Sequence, residues 1–169
     1  MIYPIVNYGD PVLEKPAQPV TSFDAELKQL IEDMFESMYA AHGVGLAAPQ
    51  IGISKRIAVI DVTFKEDPGA RLVLVNPEII KVEGRQTQSE GCLSIPDFRE
   101  NVTRPKRVTV RAQDANGKWY EKTGEELLAR AFMHETDHLN GKLYIQHISA
   151  LKRDLMKRKI RKLQKAGEW

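Results

Sequence analysis

The chain has 169 residues, of which 42% are hydrophobic and 28% charged, and a formal net charge of +2. That suits one domain with one sizeable core and excludes disordered and fibrous classes, and the net charge alone argues for no particular partner. The single cysteine, Cys92, excludes an internal disulfide, and no apolar run reaches the ~18 residues that a bilayer span requires.

Residues 1–20 carry Pro4, Pro11, Pro16 and Pro19 and read as an extended surface arm; no charged and apolar leader pattern opens them. In "SFDAELKQLIEDMFESMYAAHG", Leu27, Leu30, Ile31, Met34, Phe35 and Met38 recur at helical spacing. Ser22 or Asp24 caps the start and Gly43 stops the helix. Strands are expected over 56–64, 71–80, 107–114 and 118–124, with Asn116-Gly117 turning the last two into a hairpin. A second helix follows over 122–141, with Thr123 and Glu126 at capping-box spacing and Asn140-Gly141 as its stop. A third helix, residues 149–166, places Leu151, Leu155, Met156, Ile160 and Leu163 on one stripe. Strands and helices do not alternate one for one, so the expected class is α+β. Mainly antiparallel sheets pack around the second helix, flanked by an N-terminal helix and a basic C-terminal one, all within one domain, 1–169.

The second helix contains "HETDH", His134 to His138. Two imidazoles four residues apart share a helix face and converge on one ion, and the intervening Glu135 stands beside that ion without binding it. His134 and His138 continue a stripe that begins with Leu127 and Ala131, so they are expected to point inward at the sheet. A catalytic ion needs a third protein ligand. The metzincin position after Gly141 holds Tyr144, His147 falls three residues late, and the downstream carboxylates Asp154 and Glu168 lie in a basic tail. The upstream thiol Cys92, flanked by Gly91, is the remaining candidate.

Three segments, "GVGLAAPQ" (43–50), "EGCLS" (90–94) and "HETDH" (134–138), together resemble the peptide deformylase family in order and spacing, and the layout agrees along essentially the whole chain. The resemblance extends to the bacterial form with a C-terminal helix. It implies removal of the formyl group from the N-terminal formyl-methionine of new polypeptides. Cys92, His134 and His138 are then the metal ligands and Glu135 the general acid/base for attack by metal-bound water, releasing formate. Gln50 and the backbone N–H of Leu93 stabilise the oxyanion. Iron(II) is the implied native cofactor, with zinc, nickel or cobalt able to replace it. Two positions depart from common family residues: Met133 stands where glutamine is usual, and Val44 where isoleucine is.

The residues accommodate that chemistry. A cysteine sulfur donates more charge than a third neutral imidazole, which weakens the ion's Lewis acidity and argues for iron(II) over zinc. "GVGLAA" has no following Lys-Ser/Thr and is no nucleotide loop; its glycines are expected to open space for a peptide backbone. Val44, Gly45, Gly91 and Leu93 are read as flanking an extended substrate that pairs like an added strand. Val44, Leu127 and Ala131 are wall candidates for a methionine pocket, although core packing explains the last two equally well. Asp137 either orients a ligand imidazole or forms a solvated ion pair. The third helix presents eight Lys and Arg side chains between Lys152 and Lys165; they are either a solvated face or a salt-sensitive ribosome contact. Two rival readings remain: a zinc peptidase, which lacks a downstream ligand, and an RNA- or ribosome-binding module with a structural metal, which leaves Glu135 and Gln50 without roles. A cytoplasmic monomer is expected.

Overall fold

A computed structural model describes all of residues 1–169. Three helices, α1 (Ala25–Ala40), α2 (Leu127–Leu139) and α3 (Ala150–Lys165), accompany seven strands. Strands β1 (Gly45–Ala47), β2 (Ile57–Ile60), β3 (Leu72–Glu83), β6 (Arg107–Gln113) and β7 (Trp119–Glu125) form one sheet in the order β1-β2-β3-β6-β7. Strands β4 (Gln86–Cys92) and β5 (Ile95–Arg104) form a separate two-stranded sheet. Every strand pairing is antiparallel, in keeping with the α+β expectation.

Side-chain alternation along β2 explains why helices cover both faces. Ile57 and Val59 join Ile31, Met34, Phe35 and Met38 of α1, whereas Ala58 and Ile60 join Ala129, Phe132 and Leu139 of α2. All four β2 residues are buried, so this strand carries no polar face. At the other end of the sheet Val108, Val110 and Ala112 of β6 turn toward α2, leaving Thr109 and Arg111 on the open face. The helix bearing the histidines touches all five strands of this sheet and also β5. A third core joins Leu13 of the arm, Ile95 and Val102 of β5, Tyr144 and Ile145, and Met156 and Ile160 of α3. No helix is long and apolar enough to cross a membrane.

Several local expectations are corrected. Asp24 caps α1 through its side chain, but the left-handed residue after the helix is His42 (φ 59), not Gly43. The strand expected over 56–64 ends at Ile60, because the Asp61 side chain gathers the backbone N–H groups of Thr63 and Lys65 into a turn. Thr123 forms no capping box. It lies within β7, hydrogen-bonded to Thr109 across the ladder, and α2 begins only at Leu127. Cross-strand pairing with β6 thus overrides a local capping signal. On α3, Met156 and Ile160 are buried, whereas Leu151 is 70% exposed and Leu155 47%. The helix meets the core along one narrow line, and the expected stripe is wider than the contact. The β4–β5 hairpin was absent from the expected strands, since "QTQSEGC" carries no apolar alternation.

Candidate metal centre

Cys92 ends β4, opposite Ile95. His134 and His138 occupy successive turns of α2, and both are buried. Packing brings the Cys92 Sγ to 3.3 Å from His138 Nε2, which stands 3.2 Å from His134 Nε2. All three ligand atoms lie within 4.8 Å of one another. Ligands arranged tetrahedrally at ~2.0–2.3 Å from an ion stand roughly 3.3–3.6 Å apart. The two separations at His138 match that spacing, so the donor set can close on one divalent ion, and its mixture of one sulfur and two imidazoles suits zinc or iron(II).

Glu90, two residues before Cys92, holds the first histidine. Its Oε2 accepts from His134 Nδ1 at 2.7 Å, which leaves Nε2 toward the sulfur. The same carboxylate takes Arg104 through Nε and Nη2 and Arg130 through Nη1 at 2.6 Å, all nearly inaccessible to solvent. Burial alone would raise the Glu90 carboxyl. The His134 and Arg104 contacts outweigh it and hold the group far below the usual carboxylate range. Arg104 also donates to Asp137 at 2.7 Å, and Asp137 accepts from His147 at 2.8 Å. Asp137 thus neither touches a ligand imidazole nor forms a loose surface pair; it anchors Arg104, which anchors Glu90.

Glu135 is 4% exposed and sits against β1 so closely that a Cβ on Gly45 would come within 2.5 Å of its Oε2. Gly45 therefore makes room for the Glu135 carboxyl, a different reason for glycine than an open peptide path. Burial pushes Glu135 up to about 7. Its Oε1 and the His138 Nδ1 are buried without a protein partner. Gln50 is 1% exposed; its Oε1 accepts from the Ala47 N–H, which turns Nε2 toward Ser94 Oγ at 3.2 Å and Cys92 Sγ at 3.6 Å.

These groups meet in a cleft of ≈ 730 Å³. Val44, Gly45, Gln50, Gly91, Cys92, Leu93, Leu127, Ala131, His134 and Glu135 all line it, and His138 lies behind them. Leu127, 47% exposed, lines this cleft and is not part of the buried core against the sheet. Met133 packs at the rim of the core between α2 and the sheet. Four participants carry no role in the sequence pattern: Glu90, Ser94, Arg104 and Arg130. A glutamate two residues before the candidate ligand Cys92 is the one visible signal, since alternate residues of a strand share a face. Nothing local marks Arg104.

A family model described as "Polypeptide deformylase" matches residues 2–154, which leaves most of α3 and Trp169 outside the match. A peptide deformylase of Acidobacterium capsulatum is 66% identical over 169 residues, covering 100% of this chain and 99% of that protein. One from Heliobacterium modesticaldum is 52% identical over 147 residues, covering 87% of this chain and 94% of its own. The crystal structure of a peptide deformylase from Legionella pneumophila superposes with a TM-score of 0.91 at 47% identity, covering 99% of this chain and 98% of that one.

Proposed function

The chain belongs to the polypeptide deformylase family, hydrolases acting on formyl-methionyl peptides, and we propose that it releases formate from the formyl-methionine of newly made chains at the Cys92, His134 and His138 site. The observation that carries this reading is the convergence of three ligand atoms beside a buried carboxyl that has one oxygen free.

Cys92, His134 and His138 would hold the ion, for which iron(II) is the proposed identity on the grounds of the sulfur donor. A divalent ion bound there supplies Lewis acidity and makes water a nucleophile near neutral pH. The remaining work falls to the protein. Glu135, pushed up to about 7 by burial, accepts a proton on its unpartnered Oε1 and returns it to the departing amine. Gln50 Nε2, held toward the sulfur, and the Leu93 N–H donate to the developing oxyanion. Strand β1 has one sheet partner, β2, so its outer edge is free to pair with an extended peptide, with Gly91 across the cleft. Val44, Leu127 and Ala131 wall the space for the methionine side chain.

The C-terminal helix, with Leu151 and Leu155 exposed among its basic residues, is proposed to add salt-sensitive affinity for the ribosome to a cytoplasmic, monomeric enzyme. The deciding experiment loads the protein anaerobically with iron(II) or nickel(II) and follows formate release from formyl-Met-Ala. Release that vanishes on chelation is expected. No release from the loaded protein would overturn the reading, and cleavage of internal peptide bonds would favour a peptidase.

A further inference from the structure

One wall of the cleft is a segment that its own sheet does not hold. In the β4–β5 ladder Cys92 pairs with Ile95 and Gly91 with Arg99, so Pro96, Asp97 and Phe98 have no partner across the hairpin. Asp97 sits in the left-handed region at φ 69. All three residues line the cleft. A bulge of this kind re-aims side chains but gives up ladder hydrogen bonds, so its position depends on outside support.

That support comes from beyond α3. The Phe98 ring meets the Trp169 indole edge to face, with centroids 6.1 Å apart and planes at 72°. The indole is itself fixed: Trp169 Nε1 donates to the Tyr8 carbonyl at 2.7 Å. Tyr8 in turn donates its backbone N–H to the Ser94 carbonyl at 2.7 Å, and the Ser94 hydroxyl accepts from Gln50. Tyr8 therefore ties Trp169 to the turn between Cys92 and Ile95. Lys152 of α3 adds a second tie through Glu100, two residues past Phe98. Phe98 and Trp169 pack on the core that contains Ile95, Tyr144 and Ile160.

We propose that Trp169 is a positioning residue for peptide binding: it holds the Pro96–Phe98 bulge as the cleft wall beside Gly91 and Leu93. Trp169 touches no reacting atom, and its effect passes through Phe98. The inference rests on the reading of this cleft as the deformylase site. It also gives α3 a mechanical connection to the cleft, since displacing the helix would move both Trp169 and Lys152.

The test compares steady-state kinetics of the metal-loaded wild type, Trp169→Ala and Trp169→Phe on formyl-Met-Ala-Ser, with melting curves in parallel. Trp169→Ala is expected to raise KM about fivefold or more with kcat within about twofold, and Trp169→Phe, which keeps an aromatic edge, to recover most of the loss. A lowered melting temperature with unchanged KM would mean a merely structural role and overturn the proposal. Should Trp169→Ala fail to fold, Trp169 emission in the Trp119→Phe protein decides. A saturable change on adding Met-Ala-Ser supports the proposal, and unchanged emission at saturation overturns it. Wild-type formate release in the same assay separates failure of this inference from failure of the deformylase reading.

Discussion

Glu90 Oε2 accepts a hydrogen bond from His134 Nδ1 at 2.7 Å, so the carboxylate that balances two buried arginines also sets which imidazole nitrogen faces Cys92 and His138. Glu90→Gln is expected to weaken metal binding by roughly 10–100-fold, because such partners orient ligands and raise their basicity. Competition with a chromogenic chelator measures this. Affinity unchanged from wild type would detach Glu90 from the metal site. Glu90→Ala, which leaves Arg104 and Arg130 buried without their partner, should in addition destabilise the fold by about 3–5 kcal/mol.

Glu135→Gln keeps the shape of the side chain and removes its capacity to take a proton. We expect kcat to fall by ~10²–10⁴-fold, with metal content and melting temperature close to wild type. Near-wild-type turnover in the metal-loaded variant would remove Glu135 from proton transfer.

Gly45→Ala tests the close approach of β1 to the carboxyl. The added methyl would lie 2.5 Å from Glu135 Oε2 and 2.9 Å from its Cδ, so the carboxyl must shift. A misplacement of about 1 Å can reduce turnover on the order of 10²-fold. The informative control is Gly52→Ala, where a Cβ meets nothing within 4 Å; Gly52 has φ 81, so that variant carries backbone strain but should keep its kcat.

Glu126 precedes the first residue of α2 at φ 53 and ψ −120, a conformation suited to glycine. Three hydrogen bonds hold it there: its N–H to Lys106 O, and its carbonyl from Gln86 Nε2 and from the Arg130 N–H. Its ion pair with Lys106, at 3.5 Å and largely exposed, contributes little. Glu126→Gly should therefore stabilise the protein by about 1 kcal/mol, the relieved strain exceeding the added freedom of the unfolded chain. A lower denaturation midpoint for this variant would show that Glu126 is not strained.

The Tyr39 hydroxyl donates to Asp61 Oδ2 at 2.5 Å, and Asp61 is fully buried at the end of β2. Burial, then the Asp61 hydrogen bond, pushes the phenol up to about 12. Because the folded value lies above the unfolded one, near 10, this contribution is complete below pH ~10 and is lost as pH rises through about 12. Burial would raise Asp61, but its bonds from Tyr39 and Thr63 outweigh that and lower it. Its contribution is therefore present above the ordinary carboxylate range and lost as pH falls through the lowered value. Urea midpoints across pH should fall at both ends, with the alkaline fall shallower in Tyr39→Phe. Equal alkaline slopes would sink the assignment.

What the sequence by itself determined is what neighbours along the chain decide. The Asp24 cap, the alternation that buries β6 on one face, and the four-residue spacing of His134 and His138 are all of this kind. Each depends on helical or strand periodicity, which any local window contains. The third candidate ligand, Cys92, follows by elimination, because the chain offers one thiol. Only the tertiary structure decided that Cys92 approaches His138 to 3.3 Å, since those residues are 46 positions apart. Sheet pairing ran β7 through Thr123 against its capping signal, and it made the polar β4–β5 hairpin whose bulge walls the cleft. Arg104, Glu90 and Asp137 come from three separate elements, and their charges are tolerable when buried only because they meet one another. Such a network is a property of packing between distant segments, and no local pattern encodes it.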